Sequence, residues 1–171
     1  MDICPVAPVS AVEIVRNLLI LLGVLTAIVS VVVVQATAKK KQTADLLFGC
    51  RQDKELVEGN QKVAAMHDAS GSIRTLAEEI NSDTEDAKAV RYVLNHWERV
   101  AVGIAQGIYH EEMLRQSNRA NVVNLYQKAK PFIQAIRHRH SSDTFYQHFE
   151  NMALSWEKRP LKVLNTKKHF R

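Results

Sequence analysis

From Leu18 to Val34 the chain carries no charge, and thirteen of those seventeen residues are Leu, Ile or Val. This run constrains the fold more than any other feature. At about −0.4 kcal/mol per branched residue, transfer into a bilayer is favoured by roughly 5 kcal/mol. Extended to Ala38 the run has 21 residues, about 31 Å as a helix, which matches a hydrocarbon core. The spacing predicts a transmembrane helix over residues 11–38, beginning just after Ser10, because Ser10 and Glu13 have capping-box spacing. A cleaved signal peptide fits poorly, although Ala36-Thr37-Ala38 resembles a cleavage site. The expected positive leader is missing, the apolar run is long, and Lys39-Lys40-Lys41 follows as a stop-transfer flank.

The basic flank also orients the helix. Lys39, Lys40, Lys41, Arg51 and Lys54 follow the span, against Arg16 alone before it. The positive-inside rule then places residues 1–10 outside and everything from residue 39 onward in the cytoplasm, on an inner membrane. The same three lysines are candidates for contact with anionic lipid headgroups. Within the span, Gly23 and Ala27, with Ser30 beyond them, form a small-residue face suited to helix–helix contact in a homo-oligomer. Cys4 and Cys50 fall on opposite sides of the membrane and cannot pair within one chain. Leu47-Phe48-Gly49-Cys50 faintly resembles a lipobox, but it lies beyond the lysines and reads as a helix surface.

Residues 39–171 carry 22 basic and 16 acidic side chains and all seven histidines. Helical periodicity recurs there and strand-like alternation does not. The expected order is a basic juxtamembrane extension over 39–52, a helical domain over 53–158 and a basic tail over 159–171. The fold class is therefore all-α, one transmembrane helix followed by a bundle of about five to six helices. Expected helices are 53–68, 72–80, 83–107, 111–116, 118–138 and 143–158. Ser82 and Glu85 suggest a capping box for the third, and Ser142 or Asp143 a cap for the last. Pro131 suggests a kink or a new start. Val90, Val93, Leu94, Trp97, Ala101, Ile104, Ala105 and Ile108 form one apolar stripe; Val122, Leu125, Tyr126, Ala129, Phe132, Ile133 and Ile136 form another. Trp97, Trp156, Phe132, Phe145 and Phe149 are the expected large core residues.

Chemical motifs are sparse. No Gly-rich phosphate loop, Gly-x-Ser-x-Gly elbow or paired-cysteine motif occurs, so no cofactor is implied. His138 and His140 are two residues apart and point away from each other on a helix, which reads as a basic helix end rather than a metal pair. His110-Glu111-Glu112 lacks the second histidine of a zinc-protease helix. Glu98 is the one weak catalytic candidate, as a general acid or base acting with a histidine. The plainer reading makes it structural, paired with Arg119 or Arg137 from a neighbouring helix. Arg137, His138, Arg139, His140, Lys158, Arg159, Lys162, Lys167, Lys168 and Arg171 cluster late, but aromatics hardly interleave with them, which disfavours nucleic acid as a partner.

The stretch Tyr92-Val93-Leu94-Asn95-His96-Trp97-Glu98-Arg99-Val100-Ala101-Val102-Gly103-Ile104, with Gly107-Ile108-Tyr109 and then Met113-Leu114, resembles an uncharacterised family. That family is a domain of unknown function from bacteria and phages, often preceded by one membrane helix. The resemblance covers roughly residues 43–158 and implies an α-helical fold, with Glu98 at the family's acidic position. The expected function is a single-pass membrane protein acting as a protein-interaction or oligomerisation module, with the bilayer and a protein partner or a second copy as its contacts. A bacterial or phage accessory role in defence or exclusion fits that setting. The alternatives are a membrane-tethered enzyme using Glu98 and a membrane-tethered nucleic-acid binder.

Overall fold

The computed structural model describes residues 10–68 and 72–162. The expectations for Cys4, Lys167, Lys168 and Arg171 lie outside those residues. The order is α1 (Ala11–Gln52), α2 (Lys54–Asp68), α3 (Ser72–Thr75), a 3-10 turn (Glu79–Asn81), α4 (Glu85–Ala105), α5 (Glu111–His140) and α6 (Gln147–Lys158). Among the described residues there is no strand, so the chain is all-α. By contacts it divides into two units, residues 1–38 and residues 39–171.

The described part of the first unit is the apolar length of α1. It begins with the predicted capping box: Glu13 N–H donates to Ser10 Oγ (3.3 Å) and Ser10 N–H donates to Glu13 Oε2 (3.2 Å). Its Leu, Ile and Val side chains are exposed throughout, and the helix is long and apolar enough to cross a membrane. Thr26 and Ser30 donate to carbonyls one turn back, at Leu22 and Thr26 (both 2.8 Å). Neither hydroxyl proton is left unpaired on an apolar surface.

The second unit is a helical bundle that includes residues 39–52 of α1. Thr43 is fully buried and works in both directions. Its hydroxyl donates to Lys39 O (2.8 Å) and accepts from His110 N–H (2.8 Å), tying the α1 end to the α4–α5 loop. Leu46, Leu47 and Cys50 pack against the core nearby. The Leu47–Cys50 stretch is thus a helix, but only Phe48 and Gly49 form surface. Asp53 starts α2 by accepting from Leu56 N–H (2.9 Å). Helix α2 packs on α4 and α5, α6 packs on the same two, and α3 packs on α2 and α5.

The α4 stripe is buried as far as Ala101, with Trp97 inside it. Ile104 is half-buried, while Ala105 and Ile108 are exposed, contrary to expectation. The reason is local. Gly107 takes φ +73°, and Ile108 N–H and Gly107 N–H bond back to Gly103 O (2.8 Å) and Ile104 O (2.9 Å). This Schellman turn ends the helix and swings its last residues off the core. At the other end the capping side chain is Thr84, which accepts from Ala87 N–H (3.3 Å), not Ser82.

Three further boundaries differ from the reading of the sequence. The segments expected at 111–116 and 118–138 are one helix, α5, since no residue near Ser117 breaks it and Leu114 and Val122 share its buried face. Pro131 lies inside α5 without interrupting it. The expected helix 72–80 is only α3 followed by turns. Helix α6 starts at Gln147 rather than Asp143, because Tyr146 adopts φ +58°. This shift buries Tyr146 and leaves Phe145 37% exposed, so Phe145 is not a core residue, whereas Phe149, Met152 and Trp156 are.

Gly59 sets the approach of α2 to α4. A Cβ there would lie 2.5 Å from Val93 Cγ2 and 3.0 Å from Ala89 O, and Val93 is fully buried. Alanine gains about 1 kcal/mol in helix propensity, but overpacking costs about 1–3 kcal/mol, and a stiff β-branched neighbour puts this site at the upper end. Gly59→Ala is therefore expected to destabilise the full chain by about 1–2 kcal/mol, read as a lower melting temperature in detergent micelles. An unchanged or higher value contradicts the packing described.

Candidate functional site

Glu98 projects from α4 onto the start of α6. Its Oε1 accepts from His148 N–H (3.2 Å) and its Oε2 from Phe149 N–H (2.7 Å). These are the second and third amides of α6, the ones a local capping side chain would serve, and Tyr146 offers none. Glu98 is thus an N-cap supplied from another helix, with its negative charge at the positive end of the α6 dipole. Both oxygens accept from backbone donors, which gives the side chain a structural task.

The expected ion pairs of Glu98 do not form. Arg119 instead serves the other end of α6, donating from Nε to Trp156 O (2.7 Å) and from Nη2 to Glu157 O (2.9 Å). Arg137 donates to Phe145 O from Nε (3.0 Å) and Nη2 (2.8 Å) and pairs with Glu150 (2.7 Å). Trp156 is fully buried, and its indole N–H donates to Glu111 Oε1 (3.1 Å). Arg159 pairs with the same carboxylate oxygen. These contacts fix α6 and the turn that leads into it.

His110 also has a structural task. Its Nδ1 accepts from Met113 N–H (3.2 Å) and so caps α5. His138 and His140 are exposed, and His140 Nε2 lies 3.0 Å from Arg139 Nη2. Among the described residues no group of three or more metal-ligating side chains converges.

What the bundle leaves open is a trough of about 590 Å³ between the end of α1, α2 and α5. Its floor is apolar, with Leu47, Leu56, Val57 and Leu125. Its α5 wall is polar: Asn118, Asn121 and Asn124 follow one another at three-residue spacing, with Lys128 beyond. Gln61 and Arg51 face the same space. Cys50 lies on it too, with Sγ 3.3 Å from His96 Nε2. Burial, with Asp53 next, pushes the Cys50 thiol up. Burial, with Arg99 next, pushes the His96 imidazole down, against a smaller opposing effect of Asp53. Both shifts favour the neutral thiol and the neutral imidazole over their charged forms. The sequence gives little warning of this site. Cys50 and His96 are 46 residues apart, and the asparagines read as ordinary solvated surface. The one available signal was their strict spacing beside the apolar stripe Val122, Leu125 and Ala129.

Two outcomes follow for stability. Glu98→Ala is expected to cost about 1–3 kcal/mol, since two helix-end amides lose their acceptor. Glu98→Gln, which keeps one acceptor oxygen, should fall between Ala and wild type in denaturant unfolding. A Glu98→Ala chain as stable as wild type contradicts the cap. The second outcome concerns acid. Burial opposes the Glu150 carboxylate, but hydrogen bonds from Tyr126 and Arg137 outweigh it and hold the group below its ordinary value of 4.5. A lowered folded-state value stabilises the fold above the unfolded-state value, and this is lost as pH falls through the folded one. Stability should thus hold from pH 7 to about 5 and drop below about 4.5, with a shallower drop in Glu150→Gln.

No curated protein and no solved structure matches this chain at a significant level. A family model does match, over residues 17–156, and its description is a domain of unknown function, DUF4760. The match runs from the apolar length of α1 to Trp156 and takes in Glu98 and the trough, so the chain belongs to the DUF4760 family.

Proposed function

We propose that this protein is a single-pass inner-membrane protein, N-terminus outside, whose cytoplasmic helical domain is a protein-interaction module. The uncharged run Leu18–Val34 beside Lys39-Lys40-Lys41 carries the reading. A helix with that many exposed branched side chains has no stable place in water. The lysines suit the cytoplasmic face and anionic headgroups. Gly23 and Ala27 offer close approach to a second copy within the membrane, and open space surrounds a Cβ built at Gly23.

Binding is favoured over catalysis by how the polar groups are spent. Glu98 is consumed in capping α6. The α5 carboxamides of the trough, Asn118, Asn121 and Asn124, are unspent. Nucleic acid is disfavoured, because Arg137, Arg139 and Arg159 of the late basic cluster are each engaged within the fold, by Phe145 O and Glu150, by Ala77 O and by Glu111.

The test is fractionation with topology reporters. The chain should stay in the membrane after alkaline carbonate extraction. A C-terminal green fluorescent protein fusion should fluoresce and a C-terminal alkaline phosphatase fusion should be inactive. Replacing all three lysines by Gln should mix the two signals. Active phosphatase on the wild-type chain, or release by carbonate, overturns the reading.

A further inference from the structure

The trough has hydrogen-bonding capacity that the fold does not use. Asn118, Asn121, Asn124, Gln61, Arg51 and Lys128 all line it, and no side-chain hydrogen bond or ion pair joins any of them to another described residue. Its lining contains two cations, Arg51 and Lys128, and no carboxylate. A ligand that satisfies this surface has many donors and acceptors and carries negative charge.

Carboxamides narrow the class. Each presents N–H donors and a C=O acceptor, the same pair that each peptide unit presents. The polar stripe from Ser117 to Lys128 covers eleven helical steps, about 16 Å. At about 3.3 Å per residue that is the length of some five residues of extended chain. In such a chain alternate side chains point to opposite faces, so every second one reaches the apolar floor of Leu56, Val57 and Leu125 while the others meet the polar rim. A nucleotide suits the trough less well. Trp97, the one aromatic side chain lining it, is only 5% exposed and offers no stacking face.

We propose that the trough between α2 and α5 binds an extended acidic peptide segment of a partner protein. The α5 carboxamides hydrogen-bond its main chain, Arg51 and Lys128 hold its carboxylates, and apolar side chains at alternate positions fill the floor. The inference rests on reading the domain as an interaction module and gives that reading a partner of defined chemistry.

The probe is a fluorescein-labelled pentapeptide of alternating Glu and Leu, blocked at both ends and titrated by fluorescence polarisation against the full chain in detergent micelles. Saturable binding is expected, weakening as salt rises. The double replacement Asn121→Ala and Asn124→Ala should weaken it about fivefold or more, and Lys128→Glu about tenfold. These side chains have no hydrogen bond or ion pair to another described residue, so the melting temperature should move little. In a Cys4→Ser chain, bound peptide should slow alkylation of Cys50. Four results overturn the proposal: no binding at millimolar peptide, equal affinity for the Gln-Leu or Lys-Leu peptide, indifference to the asparagine replacements, or displacement by ATP or inorganic phosphate at equal concentration, which assigns the trough to a small anion. Peptide binding by a chain that fails the membrane fractionation leaves this inference standing and removes only the anchor. A membrane-integrated chain that ignores the peptide does the reverse.

Discussion

A helix of twelve residues is marginal in water, and α6 is held at both ends by side chains from other helices. Glu98 of α4 accepts from its first-turn amides, and Arg119 of α5 donates to its last-turn carbonyls. The signs match the helix dipole at each end. With α6 fixed, Phe149 and Trp156 enter the core between α4 and α5 fully buried, and Glu111 receives the Trp156 indole proton. The most conspicuous charged side chains in the bundle are therefore engaged in building it.

That allocation bears on function. The Glu98 carboxylate has a structural task at two backbone amides, and the surroundings of the half-buried Cys50 push its thiol up and so disfavour a thiolate. Polar side chains with no hydrogen bond or ion pair to another described residue line the trough along α5. Exposed carboxamides beside an apolar lining are what the proposed recognition role rests on. In the proposed reading the apolar helix sets location and the trough selects a partner.

Much of the architecture was legible in the residues because it follows from local rules. The capping box Ser10–Glu13 gave the start of α1 to the residue, and the three-and-four spacing of Val90, Val93, Leu94 and Trp97 gave the buried face of α4. Failures came where distant groups decide local structure. Asp143 looks like a helix cap, yet α6 begins four residues later, because its cap is Glu98, about fifty residues earlier in the chain. The same displacement moved Phe145 out of the core and Tyr146 into it. Glu98 stands out as a carboxylate next to Trp97 of the apolar stripe, but its partners are backbone amides, which no sequence pattern displays. The trough was illegible because a polar stripe on a helix looks the same whether it faces water or a binding site. Only the placement of α2 opposite Asn121 and Asn124 distinguishes the two.

The account turns on Glu98 being a structural cap, and hydrogen exchange of the full chain in lipid nanodiscs tests that most directly. It predicts that the amides of His148 and Phe149 exchange as slowly as those in the middle of α4 and α5, and that they alone in α6 lose protection first in Glu98→Ala. Exchange of these two amides at the rate of free backbone in the wild-type chain would contradict it.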